Sequence, residues 1–344
     1  MGNSKRRIRP WVRWAAAFLA LAFVFTFSAQ SWITVKIAAD DANAARDYLA
    51  RQTGYVNAGS LERLRTKLQT LAQPDGLEDY YRLAETAIAA EEYEEALGSI
   101  EQCLALYQPE FGDTLKTELL LKQGCLLTIL GRGAEAAPVM EQVIALAPAL
   151  ADAYLVLAQI YAEAGDAPAA CGALEGYLEQ QPDAADLRLL LAQLYLAQGQ
   201  TELAAGQAEI LTARGGADEA DLAGLLGEIG LARLEAQDQA GALENFRAAL
   251  ALDAEAGPLS YYAGLCCLVL EQYDEAVEHY TRAIDQQTMP QLSRYGRGAA
   301  ELMRAEPDLE TAREDLTFAA RYDGEDEDPT ITRQAQDLLE LIEQ

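Results

Sequence analysis

Few residues in this chain could do chemistry. Its five cysteines are Cys103, Cys125, Cys171, Cys266 and Cys267, and its one histidine is His279. They form no Cys-x-x-Cys spacing and no Cys–His set at metal-ligand spacing. An odd cysteine count in an exported chain can signal a reactive thiol. Here all five fall on or near apolar positions of helical patterns, where Cys acts as a small hydrophobe, so they read as core. His279 has no partner for a triad or a metal and reads as a surface residue beside Tyr280. The acidic run from Asp323 to Asp328 lacks the spaced ligands of a calcium loop and reads as a solvated linker. Gly296-x-Gly298 opens no phosphate-binding loop. Acids are abundant, yet no pair stands apart as a catalytic dyad. The chain reads as non-enzymatic, with no cofactor and no metal.

The elements that must position any binding residues are helical. Half the composition is hydrophobic (51%), rich in Ala and Leu and poor in β-branched residues, which favours helix over strand. Net charge is −29, unevenly placed. Residues 1–36 hold six of the 26 basic residues and no acid, which leaves 20 basic against 55 acidic in the remainder. Such a body repels nucleic acid and anionic lipid and suits basic partners. The basic tail 1–13 leads into an apolar segment, 14–35, long enough at about 1.5 Å per residue to span a bilayer. Trp11, Trp14 and Trp32 flank it as interfacial aromatics do. A retained signal anchor is the reading adopted. A cleaved signal peptide with small residues near Ala29 and Ser31 is the alternative. Either way the basic flank stays cytoplasmic and the rest crosses: a single-pass membrane protein, or a secreted one if cleaved.

Beyond residue 76 the chain repeats itself. "EYEEALGSIEQCL", starting at Glu92, returns as "QYDEAVEHYTRAI", starting at Gln272. Aligned on the Ala of that motif, Ala96, Ala136, Ala170, Ala204, Ala242, Ala276 and Ala312 fall in one column. Four residues later stand Ile100, Met140, Leu174, Ala208, Phe246, Tyr280 and Leu316. Twelve before stand Ala84, Gly124, Ala158, Ala192, Gly230, Gly264 and, after a two-residue shift, Gly298. Offsets of three, four and seven share one helix face. The small columns let two helix backbones approach, and the larger residues fill the seam. Gly131, Gly165 and Gly199 fall between the helices, where a left-handed residue ends a helix well. One hairpin cannot bury its apolar face alone, whereas stacked neighbours can.

These columns resemble the tetratricopeptide repeat family. The best match is 151–184, where Tyr154, Leu157, Ala158, Tyr161, Ala170, Leu174, Tyr177 and Pro182 fit the pattern. The resemblance covers 77–322, about seven repeats. It implies an all-α, right-handed solenoid of stacked helix-turn-helix units, here preceded by one N-terminal hydrophobic helix. Gln123, the missing Pro at Gly216 and the inserted "AEPD" depart from the pattern. The flanks read as a juxtamembrane or capping helix pair at 36–76 and as an acidic linker with a capping helix at 323–344. In that last helix Asp328 is the N-cap, Pro329 takes the first helical position, and Leu338, Leu339 and Ile342 cover the open end.

In the resembling family the first helix of each repeat lines a concave groove, and the fifth and ninth residues face it. Those positions give Tyr81, Glu85, Leu121, Leu155, Gln159, Leu189, Gln193, Tyr261, Leu265 and Tyr295 as the candidate partner-binding groove. Acids at Glu78, Glu118, Asp152 and Asp186 rim its first half. The Lys, Arg and Asn cluster with which some members clamp a terminal carboxylate does not occur. The resemblance therefore implies a scaffold for an extended or helical protein segment, apolar or basic. The alternative is a structural, self-associating solenoid with no groove ligand.

Overall fold

The structure, a computed structural model, describes residues 76–343 apart from Glu325. Among these residues there are fifteen α-helices, one short 3-10 turn and no strand. No described helix is long and apolar enough to cross a membrane. The expected tail, anchor and juxtamembrane pair lie outside the described residues.

The chain forms two compact units. The first holds 76–198 together with Arg214–Gly216, and the second holds Gly199–Ala213 and everything from Ala217 on. In the first unit α1 (Leu77–Ala89), α2 (Tyr93–Leu106), α3 (Asp113–Ile129), α4 (Gly133–Leu146), α5 (Ala151–Glu163), α6 (Ala167–Gln180) and α7 (Ala185–Ala197) each pack against the next. The 3-10 turn Pro109–Phe111 accounts for the long step between the first two repeats. The second unit holds α8 (Thr201–Arg214), α9 (Glu219–Glu235), α10 (Gln239–Leu252), α11 (Gly257–Val269), α12 (Tyr273–Asp285), α13 (Pro290–Met303), α14 (Leu309–Ala320) and α15 (Pro329–Glu343). From α9 onward each helix again packs against the next.

Local chemistry sets these boundaries. Asp166, Asp238 and Asp308 cap α6, α10 and α14, accepting bonds from the backbone N–H groups of Ala169 (3.1 Å), Gly241 (3.0 Å) and Thr311 (3.2 Å). The tight turns close in one way. The N–H groups of Glu92, Arg132, Asp166, Asp238 and Gln272 each reach the carbonyl five residues back at 2.8–2.9 Å. That geometry demands positive φ one residue earlier, which Gly131 and Gly165 supply without strain. Glu91, Gln237 and Glu271 adopt it too, at φ 60–63°. The turn therefore imposes its backbone even where no glycine stands.

The small-residue columns form the seam. All seven Ala of the aligning column are 0% exposed. Opposite them, a Cβ added at Gly230 would lie 2.6 Å from the Phe246 ring, and one at Gly264 would lie 3.1 Å from Tyr280. At Gly298 it would lie 2.9 Å from Leu316, and at Gly124 1.9 Å from the Met140 tip. Where the column holds Ala at 84 and 158, the residues on the facing helix are Ile100 and Leu174; three of its four glycines face Met140, Phe246 and Tyr280. Removing a Cβ from one helix thus makes room for bulk on the other, keeping the core at normal density. Gly296 serves the same end: a Cβ there would lie 2.4 Å from the Tyr280 ring.

Polar hubs hold the C-terminal end. The Gln291 side chain, 1% exposed, donates to the carbonyls of Ala319 (3.1 Å) and Asp328 (3.3 Å) and to Thr332 Oγ1 (3.0 Å). Its Oε1 accepts from Asp328 N–H at 2.7 Å. Asp328 caps α15 through the Thr330 N–H at 2.8 Å. On α15 itself, Ile331, Ala335 and Leu338 are 0% exposed, with Leu339 and Ile342 packed beside them. The "AEPD" insertion is held by buried Glu301, which accepts from Arg304 Nη1 (3.0 Å) and Asp308 N–H (3.3 Å).

The seam makes a testable distinction. Gly230→Ala gains about 1 kcal/mol of helix propensity but forces the rigid Phe246 ring to move, at about 1–3 kcal/mol. The net expectation in urea unfolding is a loss of about 1 kcal/mol, relieved by adding Phe246→Leu. Gly124→Ala meets only the flexible Met140 tip and should be neutral or slightly stabilising. Equal effects at the two sites would contradict the bulk-compensation account.

Candidate binding face

The candidate groove residues divide by unit. In the first, Tyr81, Glu85, Leu155, Gln159, Leu189 and Gln193 are all half-buried, and Leu121 is buried at 2% exposure. In α5 and α7 they form an accessible stripe: Val156, Leu157 and Ala158 between them are buried on α5, and Leu191 and Ala192 are buried on α7, where Leu190 is half-buried too. In the second unit Tyr261, Leu265 and Tyr295 are buried, at 2%, 6% and 7% exposure. These three do not line an accessible face. The Tyr261 ring meets Tyr262 at 5.3 Å and Tyr280 at 5.9 Å, both edge-on. Tyr295 joins the apolar cluster that contains Ile331, Ala335 and Leu338 of α15. Burial pushes the Tyr261, Tyr280 and Tyr295 hydroxyls well above the ordinary tyrosine range. Of the three tyrosines in the candidate groove, only Tyr81 remains accessible.

Lys122, a residue the sequence pattern passed over, organises the start of the stripe. It is 1% exposed on α3 and bonds Glu85 of α1, with Glu118 at 3.7 Å. The Tyr81 hydroxyl donates to Glu118, and the Lys122 ammonium sits 5.2 Å from the centre of the Tyr81 ring. Of the acids expected to rim this end, Glu118 is paired inward, and Glu78 meets Arg82 at 2.5 Å in an exposed pair. The Glu118–Lys122 spacing of four was the available sequence signal. The partner Glu85, 37 residues back, becomes visible only once α1 and α3 lie side by side.

The titratable residues outside the stripe are structural. All five cysteines are free and buried. Burial pushes the Cys103 and Cys267 thiols up to about 11 and Cys266 up to about 12. Thiolates are the reactive species, so these side chains are inert near neutral pH. His279 corrects the sequence reading: it is buried, at 8% exposure, and its Nδ1 has no hydrogen-bond partner. It lies on α12 three residues past Ala276, among that helix's buried residues. Burial, with Arg282 and Arg247 nearby, holds the imidazole below its ordinary pKa. Among the described residues no group of His, Cys, Asp and Glu could hold a metal ion.

Comparisons with known proteins agree with the repeat pattern. Profiles described as tetratricopeptide repeat match residues 80–113 and 228–290. The second ARM domain of tetratricopeptide repeat protein 21 matches 133–199. The described residues thus carry tetratricopeptide repeats on a helical scaffold. No curated protein sequence matches the chain. A tetratricopeptide repeat protein from Parabacteroides merdae is similar in structure, with 14% identity over 78% of this chain and 99% of its own, at a TM-score of 0.44. YrrB, described as a TPR protein with an unusual peptide-binding site, is 17% identical over 58% of this chain and 99% of its own, at 0.45. MamA is 20% identical over 50% of this chain and 94% of its own, at 0.38.

Two measurements follow. Lys122→Met strands two part-buried carboxylates and should cost about 1–3 kcal/mol in urea unfolding. Adding Glu85→Gln should recover part of that loss, and no recovery would mean that Lys122 acts through packing alone. His279 titrates in the other sense. With its folded pKa below the unfolded value, the unfolded state binds the proton first as pH falls. Stability is therefore present above about 6.5 and declines below it, by at most about 1.4 kcal/mol per pH unit. His279→Gln should remove that part of the decline between pH 7.5 and 5.5; parallel curves for the two proteins would exclude His279 as its source.

Proposed function

We propose that this chain is a membrane-anchored, non-enzymatic scaffold whose first unit holds an extended or helical segment of a partner protein. The observation that carries the reading is the accessible stripe of α5 and α7, where Leu155 and Leu189 are half-buried beside Gln159 and Gln193. Apolar side chains left accessible in register on successive repeats are how a solenoid presents a binding surface. The amides beside them can bond a ligand backbone. The acidic balance beyond residue 36 favours a basic partner. Localisation rests on the sequence: the basic tail 1–13 stays cytoplasmic, segment 14–35 anchors, and the repeats stand on the extracytoplasmic side.

The test uses intact cells. The natural chain and a Leu155→Glu/Leu189→Glu variant are crosslinked and purified, after circular dichroism shows the variant to be folded. Both positions are part-exposed, so the variant should fold; Tyr261→Glu, at a buried site, would not. Loss of one specific partner in the variant supports the reading. Equal capture places the binding surface elsewhere, and self-crosslinking alone would favour a structural, self-associating role. Protease added outside intact cells should digest the repeats; protection would overturn the proposed orientation.

A further inference from the structure

One hairpin of the second unit replaces an aromatic pair with polar atoms that have no protein partner. In the repeat aligned on Ala170, the open end of the hairpin is closed by Tyr154 of α5 and Tyr177 of α6, whose rings lie 5.1 Å apart. The Gln180 side chain, at the end of α6, donates to the Tyr154 hydroxyl at 3.4 Å. In the repeat aligned on Ala276, the same three positions hold Ser260 of α11, Ala283 of α12 and Gln286. Both rings are gone, yet Ser260 and Ala283 are each 0% exposed. The counterpart of the Gln180–Tyr154 bond is missing as well. Ser260 Oγ and Gln286 Oε1 are both buried, and neither has a hydrogen-bond partner. A buried polar atom left without a bond is costly, and folded proteins rarely leave one so.

The two oxygens belong to one small region. Gln286 Nε2 donates to the Ala254 carbonyl at 3.1 Å, which fixes the amide and turns Oε1 the other way. A Cβ added at Gly257 would lie 3.0 Å from that Oε1 and 2.0 Å from Thr288 Oγ1. Glycine at 257 thus makes room for polar side chains against the first turn of α11. Ser260 follows one turn later, and residues three apart on a helix have Cβ atoms about 5–6 Å apart. Ser260 Oγ and Gln286 Oε1 are therefore neighbours that do not bond each other. An amide oxygen only accepts, whereas a hydroxyl donates or accepts. An anion would meet that amide oxygen with the wrong charge, so the occupant is a small neutral donor. We propose that a single internal water molecule binds at the open end of the α11–α12 hairpin, donating to Gln286 Oε1 and bonding Ser260 Oγ, beside Thr288 Oγ1. Buried waters typically make about three such bonds to groups otherwise unsatisfied. The water links the first helix of this repeat to the end of its second, as the Gln180–Tyr154 bond does in the repeat of α5 and α6. This site is independent of the partner-binding reading above.

Replacing Ser260 tests the bridge by the sign of its effect. In the full-length protein, Ser260→Ala removes the hydroxyl and with it one bond to the water. The melting temperature should then fall by about 2 °C. Were Ser260 Oγ an orphan, Ala would remove an unsatisfied group and add helix propensity. An unchanged or higher melting temperature would therefore overturn the proposal. Coupling separates the water from packing. In a Gln286→Met background, which lacks Oε1, the loss caused by Ser260→Ala should shrink to roughly half or less. A loss of undiminished size would assign the effect to packing and overturn the proposal. A crystal structure of the full-length chain with ordered solvent is the direct check. Water within hydrogen-bond distance of both oxygens is the expected result. A direct Ser260–Gln286 bond, a Ser260 bond to the Ala256 carbonyl, or a dry site would each overturn it.

Discussion

The close approach of two helices at the small-residue seam is the constraint on which the rest depends. Ala or Gly on one helix faces Ala on the other, and both are shut off from water. Interior packing is dense, so the volume removed on one side must return on the other. The chain returns it four residues after the Ala, with Phe246 opposite Gly230 and Tyr280 opposite Gly264. This exchange keeps the seam filled while its side chains vary. A filled seam lets one hairpin stack on the next, and stacking buries each apolar face.

Where the seam holds its largest side chain, the structure makes room nearby. Tyr280 is the largest residue in its column, and its ring also needs room from Gly296 on the following helix. The result is an aromatic cluster that takes in Tyr261 and closes the face its repeat would otherwise present. At the chain end the apolar stripe of α15 joins the same cluster, and buried polar groups fix its angle. Gln291 satisfies backbone groups on both sides of the 321–328 connection. Such a group is costly unless all its bonds are made, and here both ends of the amide are engaged.

The repeat columns were legible because they are periodic and local to one hairpin. Ala96 through Ala312 required only counting, and the α15 cap at Asp328-Pro329 required only the chemistry of a helix start. The candidate stripe was only half legible. At Leu155 and Leu189 the fifth position is accessible, as the pattern implies, but at Tyr261 and Tyr295 it is core. Position within a repeat fixes the direction of a side chain and leaves open what neighbouring bulk does to it. Lys122 escaped for the opposite reason: its partner Glu85 sits one repeat away, where no single-helix pattern reaches. His279 was misplaced because a lone polar residue beside a core tyrosine looks solvent-facing until the packing around its helix is known.

The two units therefore put one architecture to different uses. In the second, aromatic bulk and the terminal helix close the first-helix face at Tyr261 and Tyr295, leaving little apolar surface there for a partner. In the first, smaller seam residues such as Leu174 stay inside their own hairpin, and the first-helix faces of α5 and α7 remain open. Charge follows part of that division: Lys122 satisfies the acids that start the stripe. Which first-helix faces stay accessible thus depends on which seams are overfilled and which are not.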